Sequence, residues 1–370
     1  MTSELMVTGA SWLRVPEDTN LQLDEMVFAT TSAALRSAGL ARHQVGLSVV
    51  SSLDLYDGRS ISNALTAPAA AAYLNEEFRV EGDALAAVVM ALGALIAGQV
   101  DCAVVVGLHV PEIARGDEKS LRRFRELISS YTFDAHLDRP VGMTSEVTLG
   151  LHAALRVDQG LVDLEEMAER TASDISRGAR RRGVREAVDA DAVLNSARVV
   201  HPLTELMMPA ATTGVGVVVL AAGTLARRCP HPLARVTGWG MSTGWATSQP
   251  GWLDQPTASS ARAATDAYRG AGIERPLDHV DSLEMTDLSP ALSVELVESL
   301  GLTGLAPDRI NPSGGVRSSF PGNANGVLRL IEAAETLATG EARGHVVVHA
   351  MDDFSGLVTS TSSVLVLEEL

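Results

Sequence analysis

Ala94–Gly107, ALIAGQVDCAVVVG, and Thr336–His349, TLATGEARGHVVVH, align without a gap. Each reads as the end of a helix, a glycine, a short connector and a run of valines. Helical stretches precede both, ALAAVVMALGALIA from Ala84 and GVLRLIEAAETLAT from Gly326, at the same offset of 242 residues. A second pair, ALRSAGLARHQVGLSVV (Ala34–Val50) and AYRGAGIERPLDHVDSLEM (Ala267–Met285), repeats helix, Ala-Gly terminator, connector and strand at an offset of 233. Glycine after the last helical turn is the expected C-terminal cap. Two matched pairs in one order predict an internal duplication into α/β halves, residues 1–228 and 229–370. The join falls near RRCPHP (Arg227–Pro232), and the first half carries a loop insertion over about residues 109–199.

The faces of these segments predict layers. Ala84–Ala97 carries no charge over four turns, so it is expected to lie wholly between layers. Val327–Thr339 carries Arg329, Glu332 and Glu335 and is expected to be only partly covered. The runs Val104–Val106 and Val346–Val348 read as central strands buried on both faces. A helix layer between two sheets follows.

Composition excludes several roles. A chain of 370 residues with 46% hydrophobic and 20% charged residues can build two core-sized units. A formal net charge of -17 argues against general binding to nucleic acid or anionic membrane, which both need a positive field. No leader peptide or apolar run of membrane-span length is visible, and Cys102 and Cys229 alone suggest no disulfide framework, so a cytoplasmic location is expected. His136 and His201 lack metal-ligand spacing, and no metal site or resident cofactor is expected.

NPSGGVRSSFPGNANG (Asn311–Gly326) holds the backbone tightly just before a helix, a place where free N–H groups favour negative charge. This stretch resembles the C-terminal signature of thiolases, above all the sterol-carrier-protein type, in which Asn-Pro-Ser-Gly-Gly leads into Gly-His-Pro-x-Gly-Ala-x-Gly. GALIAGQVDCAVVVG looks like the family's helix and strand after the nucleophile. PLTELMMPAATTGVGVVVLA (Pro202–Ala221) resembles the stretch closing its first half, and DHVDSLEMTDLSPALSVELVESLGL (Asp278–Leu302) its second-half strand, acidic turn and helix. The resemblance implies a thiolase fold, two duplicated halves in a five-layer αβαβα arrangement, and usually a tight dimer.

The departures bear on function. By family spacing the nucleophilic Cys falls at Glu81, the motif His is replaced by Phe320, the His-Asp turn reads Thr286-Asp287, and a Gly-rich loop carries Asp352 and Asp353. Acyl transfer through a covalent intermediate needs a thiolate, a base and donors for the thioester oxygen. A carboxylate such as Glu81 is a poor acyl carrier because its mixed anhydride hydrolyses. Glu81 and Asp287 remain as candidate acids or bases, each with an alternative reading beside a helix start: Glu81 as a carboxylate near the dipole, Asp287 as an N-cap before LSPALSVELVESL. Asp83, Asn311, Gly314, Gly315, Phe320, Asn323 and Asn325 are candidate pocket residues; Asp83 and Asn325 also suit N-caps, and NPSGG also reads as a tight turn. Arg180, Arg181 and Arg182 lie where the resemblance implies CoA-phosphate contacts, and equally at the cationic end of a helix.

Three readings follow. The first is a non-condensing subunit working with an active thiolase-type chain, as homo- or heterodimer, or with a small acyl-CoA-binding partner, in acyl-CoA, lipid or polyketide metabolism. The second is a repurposed acyl-CoA enzyme, a retro-aldol carbon–carbon lyase or acyltransferase, using Glu81 or Asp287. The third is an acyl-thioester or lipid binding module, with a CoA thioester as ligand.

Overall fold

The computed structural model describes the chain except residues 1–3, 17, 59, 73, 112–116, 245–250, 353–355 and 359–360. Among the described residues, one sheet holds nine strands: β1 (Leu5–Arg14), β2 (Leu47–Ser51), β3 (Glu76–Val80), β4 (Cys102–His109), β5 (Gly214–Ala222), β6 (Ala234–Thr243), β7 (Val280–Met285), β8 (His345–Met351) and β9 (Thr361–Glu368). Their order across the sheet is β3-β2-β4-β5-β1-β6-β9-β8-β7. From the seam between β1 and β6 outward, 1-5-4-2 on one side mirrors 6-9-8-7 on the other. Strand directions match too, since β2/β4 and β7/β8 are parallel while the pairs nearer the seam are antiparallel. The seam itself is slight, Met6 with Arg235 and Val7 with Ala234. β3 has no full counterpart; a single parallel bridge, Leu283 to Ile310, stands in its place.

Strand alternation assigns the layers. On β4, Ala103 and Val105 face the central helices, while Cys102, Val104 and Val106 face the outer helix α1 (Leu23–Ala38). On β9, Leu365 and Leu367 face the centre, and Val364 and Val366 face the opposite outer layer. The centre is filled by α2 (Ala84–Ile96) and, from the second half, the helix Asn325–Thr339. The insertion supplies α3 (Glu118–Ser129), α4 (Ser145–Asp158) and α5 (Leu164–Gly178); α6 (Ala258–Ala271) and α7 (Pro290–Ser299) follow, which makes Asn325–Thr339 α8. The expected sandwich of a helix layer between two half-sheets is therefore present.

Burial of the two central helices is the reverse of the sequence expectation. α2 buries a stripe, Ala84, Leu85, Ala87, Val88, Ala91, Leu92 and Leu95, yet Met90 is 45% and Ile96 44% exposed. α8 is buried almost throughout, with Arg329 at 2% and Glu332 at 1%. Charge did not keep α8 at the surface because each charge has a partner. Arg329 Nη1 lies 3.2 Å from Glu284 on β7 and donates to Ser313 Oγ at 2.7 Å. Glu332 accepts from Arg182 at 2.7 Å and pairs with Arg181 at 3.4 Å. A buried charge persists when it is paired and hydrogen-bonded.

Removing one partner leaves the other charge uncompensated. Arg329→Met is expected to destabilise the fold by about 3 kcal/mol or more, read as a lowered urea midpoint, and adding Glu284→Gln is expected to recover part of the loss. An unchanged midpoint in the single variant contradicts this account of α8.

Candidate functional site

The site begins where the two central helices start. Asp83 caps α2, its Oδ1 accepting from the Leu85 N–H at 2.8 Å, and its Oδ2 accepts from the Gly326 N–H of α8 at 2.9 Å. One carboxylate thus satisfies donors at both helix starts. Asn325 is not an N-cap: the 3-10 turn Gly322–Ala324 runs straight into α8, so Asn325 is already helical. Its Nδ2 donates to Thr286 Oγ1 at 2.7 Å, and its buried Oδ1 has no hydrogen-bond partner among the described residues. β4 passes close beneath both starts. A Cβ on Gly107 would stand 2.9 Å from Ala324 Cα and from Ala84 Cβ, an approach only glycine permits.

The NPSGG loop is pinned from below. Asn311, at φ 48°, accepts from the Met285 N–H at 2.8 Å and donates to Asp287 Oδ1 at 3.1 Å. Ser313 donates to Glu284 through its N–H at 2.9 Å and its hydroxyl at 2.7 Å. Gly314 and Gly315 take φ 92° and 55°, where side chains are strained, and a Cβ on Gly315 would stand 2.6 Å from Asn311 Nδ2. Asp287 is not the cap of α7; that is Ser289, which accepts from the Leu292 N–H. Asp287 instead lies buried against Arg317, 3.2 Å from its Nη2. Arg317 Nε and Nη1 have no hydrogen-bond partner among the described residues.

The remaining sequence candidates are less concentrated. Glu81 is exposed. Phe320 is buried and fixed by its backbone, donating to Ala210 O at 2.7 Å and accepting from the Thr212 N–H at 3.0 Å. The Arg125 guanidinium stands over its ring at 5.4 Å. Asn323 lies nearby, its carbonyl 3.5 Å from the Ser51 hydroxyl, which also donates to Gly82 O at 2.6 Å. Arg181 and Arg182 are not clustered on a free surface. Arg181 pairs with Glu332 and Glu341, Arg182 with Glu332 and Glu335, and Arg180 is exposed on a cleft with Arg177, Asp308 and Pro312. Asp352 lies near Gly82; Asp353 is outside the described residues.

Several residues of this region were not found from sequence. His109 ends β4 and packs its ring against Gly322 and Tyr56, the latter edge-on at 4.7 Å. Arg125 comes from α3. Glu146 starts α4 beside Glu126, which accepts from the Ser145 hydroxyl at 2.6 Å and the Glu146 N–H at 3.0 Å. Arg122 lies 3.3 Å and Arg125 3.8 Å from the Glu146 carboxylate. Burial, with the Glu126 charge adding to it, pushes the Glu146 carboxyl up to about 7. The available signal for His109 was its place at the carboxyl end of a buried strand, where α/β folds carry sites.

Neither sulfur reaches this region. Cys102 is buried at the opposite end of β4 from His109, seven residues or roughly 23 Å away. Burial raises its thiol to about 12. Cys229 is also buried, its thiol donating to Leu225 O at 3.5 Å, in the connection between halves.

No protein-family model and no curated protein sequence matches the chain. Solved structures do. The human mitochondrial 3-ketoacyl-CoA thiolase superposes with a TM-score of 0.79 at 13% identity, covering 100% of this chain and 99% of that one. The chain has the thiolase fold. An "Ltp2-ChsH2(DUF35) aldolase" superposes with a TM-score of 0.76 at 17% identity, covering 99% and 98%. On this fold the starts of the two central helices are joined by Asp83. Among the described residues no cluster of three metal-ligating side chains occurs, and no helix is long and apolar enough to cross a membrane.

The raised Glu146 carboxyl gives a pH signature. Between about pH 4.5 and 7 the folded chain holds a proton there that the unfolded chain has released, so stability falls as pH rises through that window. Asp174, pushed up to about 7 by burial and the Asp287 charge, acts with the same sign. Glu146→Gln is expected to flatten part of the fall in a series of urea midpoints from pH 4 to 8. An unchanged slope contradicts the assignment.

Proposed function

We propose that this chain is a non-condensing acyl-thioester protein of thiolase fold that works with a partner chain rather than through an acyl-enzyme of its own. The observation that carries this reading is the Asp83 carboxylate across both central helix starts. Converging helix N-termini stabilise a thiolate or a developing oxyanion. Here that favourable potential is already spent on a fixed carboxylate of the chain, while both sulfurs are buried elsewhere. Retention of the NPSGG loop fits a pocket wall that still shapes a ligand site.

The partner is supported by what the first half leaves uncovered. β3 is one edge of the sheet and its Phe78 is 48% exposed, and Met90 and Ile96 of α2 are bare as well. A charge-free helix face next to an unpaired strand edge is a surface that another chain covers. A thiolase-type chain or a small acyl-CoA-binding protein both fit, and one structural neighbour is an "Ltp2-ChsH2(DUF35) aldolase". CoA thioesters are the ligand class of this reading, with Arg180 as the CoA-phosphate contact freest of carboxylates.

The second reading is a carbon–carbon lyase on acyl-CoA substrates, favoured by the aldolase neighbour. It needs a carboxyl for proton transfer; Glu81 is exposed, Asp287 is tied to Arg317, and Glu146 titrates near neutrality. A purely passive binding module is the least supported, because it gives no role to the uncovered edge.

The test purifies the chain alone and together with proteins encoded beside it, then measures mass and acyl-CoA consumption. The expected result is a stable assembly that Phe78→Asp with Met90→Asp weakens at least tenfold, and no consumption by the chain alone. Turnover by the isolated chain that Glu81→Gln or Asp287→Asn abolishes overturns the subunit reading.

A further inference from the structure

α5 and α7 pack against one another and leave a cleft of about 440 Å³ between them. Pro307 and Ile310, which lead into the NPSGG loop, complete its wall. None of the residues at the two helix starts lines it. The floor is apolar: Met167 and Ile310 are buried, as is Pro290 at the start of α7, while Val162, Val294 and Pro307 are more open. Val294 turns to this cleft and stays 42% exposed, whereas Leu292 and Leu296 of the same helix enter the core.

The polar groups come from one face of α5, where Glu166, Arg170, Ser173 and Arg177 follow at spacings of four, three and four. Arg177 is fully used: it pairs with Asp174 and donates to the carbonyls of Ile310 at 3.1 Å and Asn311 at 3.2 Å and to Ser173 Oγ at 2.7 Å. Arg170 differs. Its Nη1 donates to the buried Ser293 Oγ at 3.2 Å, and among the described residues the guanidinium has no other hydrogen-bond or ion-pair partner. Its Nε and Nη2 stay open rather than buried. By contrast Arg181, Arg182 and Arg185, which follow α5, each hold a carboxylate.

A guanidinium with free donors beside an apolar floor is a receptor for a carboxylate on an apolar body, because its planar fork matches both carboxylate oxygens. The neighbouring charges narrow the class. Asp174 is neutralised by Arg177, while Glu166 and Glu169 stand exposed on the rim. Two rim carboxylates tolerate a singly charged head and oppose a doubly charged phosphate. We infer that the cleft between α5 and α7 is a ligand site separate from the helix starts, which takes a small aliphatic carboxylate with its head on Arg170 and its chain over Met167, Ile310 and Val294. This site does not depend on the acyl-thioester reading.

The test titrates the full chain by calorimetry with hexanoate, butanoate, 1-hexanol and hexyl phosphate. Hexanoate is expected to bind roughly tenfold tighter than butanoate, the effect of two further buried methylenes. It is expected to bind at least about tenfold tighter than hexanol, the worth of a charge-assisted hydrogen bond. Arg170→Gln is expected to remove the preference over hexanol, and Val294→Trp, which fills the mouth of the cleft, to weaken both ligands. Arg180→Gln is expected to change neither. Equal affinity for hexanoate and hexanol, tighter binding of hexyl phosphate than of hexanoate, or no heat with millimolar hexanoate overturns the inference. Hexanoate binding that survives both Arg170→Gln and Val294→Trp lies elsewhere on the chain and overturns it as well.

Discussion

The structure turns on one carboxylate. Asp83 accepts from Leu85 of one central helix and Gly326 of the other, so the two duplicated halves are joined at the point where their dipoles converge. Each helix start needs an acceptor for its free N–H groups, and in this chain a fixed side chain supplies one acceptor to both. The same contact that ties the halves together also takes the place where a reacting group would gain from the dipoles.

Around that contact the polar interior holds the loop in place. Glu284 receives Ser313 and Arg329, and Asp287 receives Asn311 and Arg317. Each of these charges is buried and each is paired, which fixes the NPSGG backbone from β7 and α8. Removing any one leaves a charge that water cannot reach. This explains why α8, the more polar central helix, is the deeper one.

Much of the fold was legible because periodicity and repeats are written locally. The duplicated helix–glycine–valine segments gave the halves, and the strand mirror 1-5-4-2 and 6-9-8-7 follows from them. Burial of α2 and α8 was not legible, because Arg329 and Glu332 find their partners on Glu284 and on the turn after α5. Asp83 was readable as a cap by residue type, while its second bond to Gly326, 243 residues on, was not. Asn325 and Asp287 suited caps by composition and lost those positions to Ala324 and Ser289 through shifts of one and two residues. His109 and Glu146 were missed because neither sits in a motif; only the fold brings them to Gly322 and Arg125.

The bridging role of Asp83 can be measured directly by amide hydrogen exchange on the wild-type chain and Asp83→Ala. The account predicts that the amides of Leu85 and Gly326, at the starts of α2 and α8, lose protection together in the variant. Loss confined to Leu85, with Gly326 exchanging as in the wild type, contradicts a carboxylate shared between the two helices.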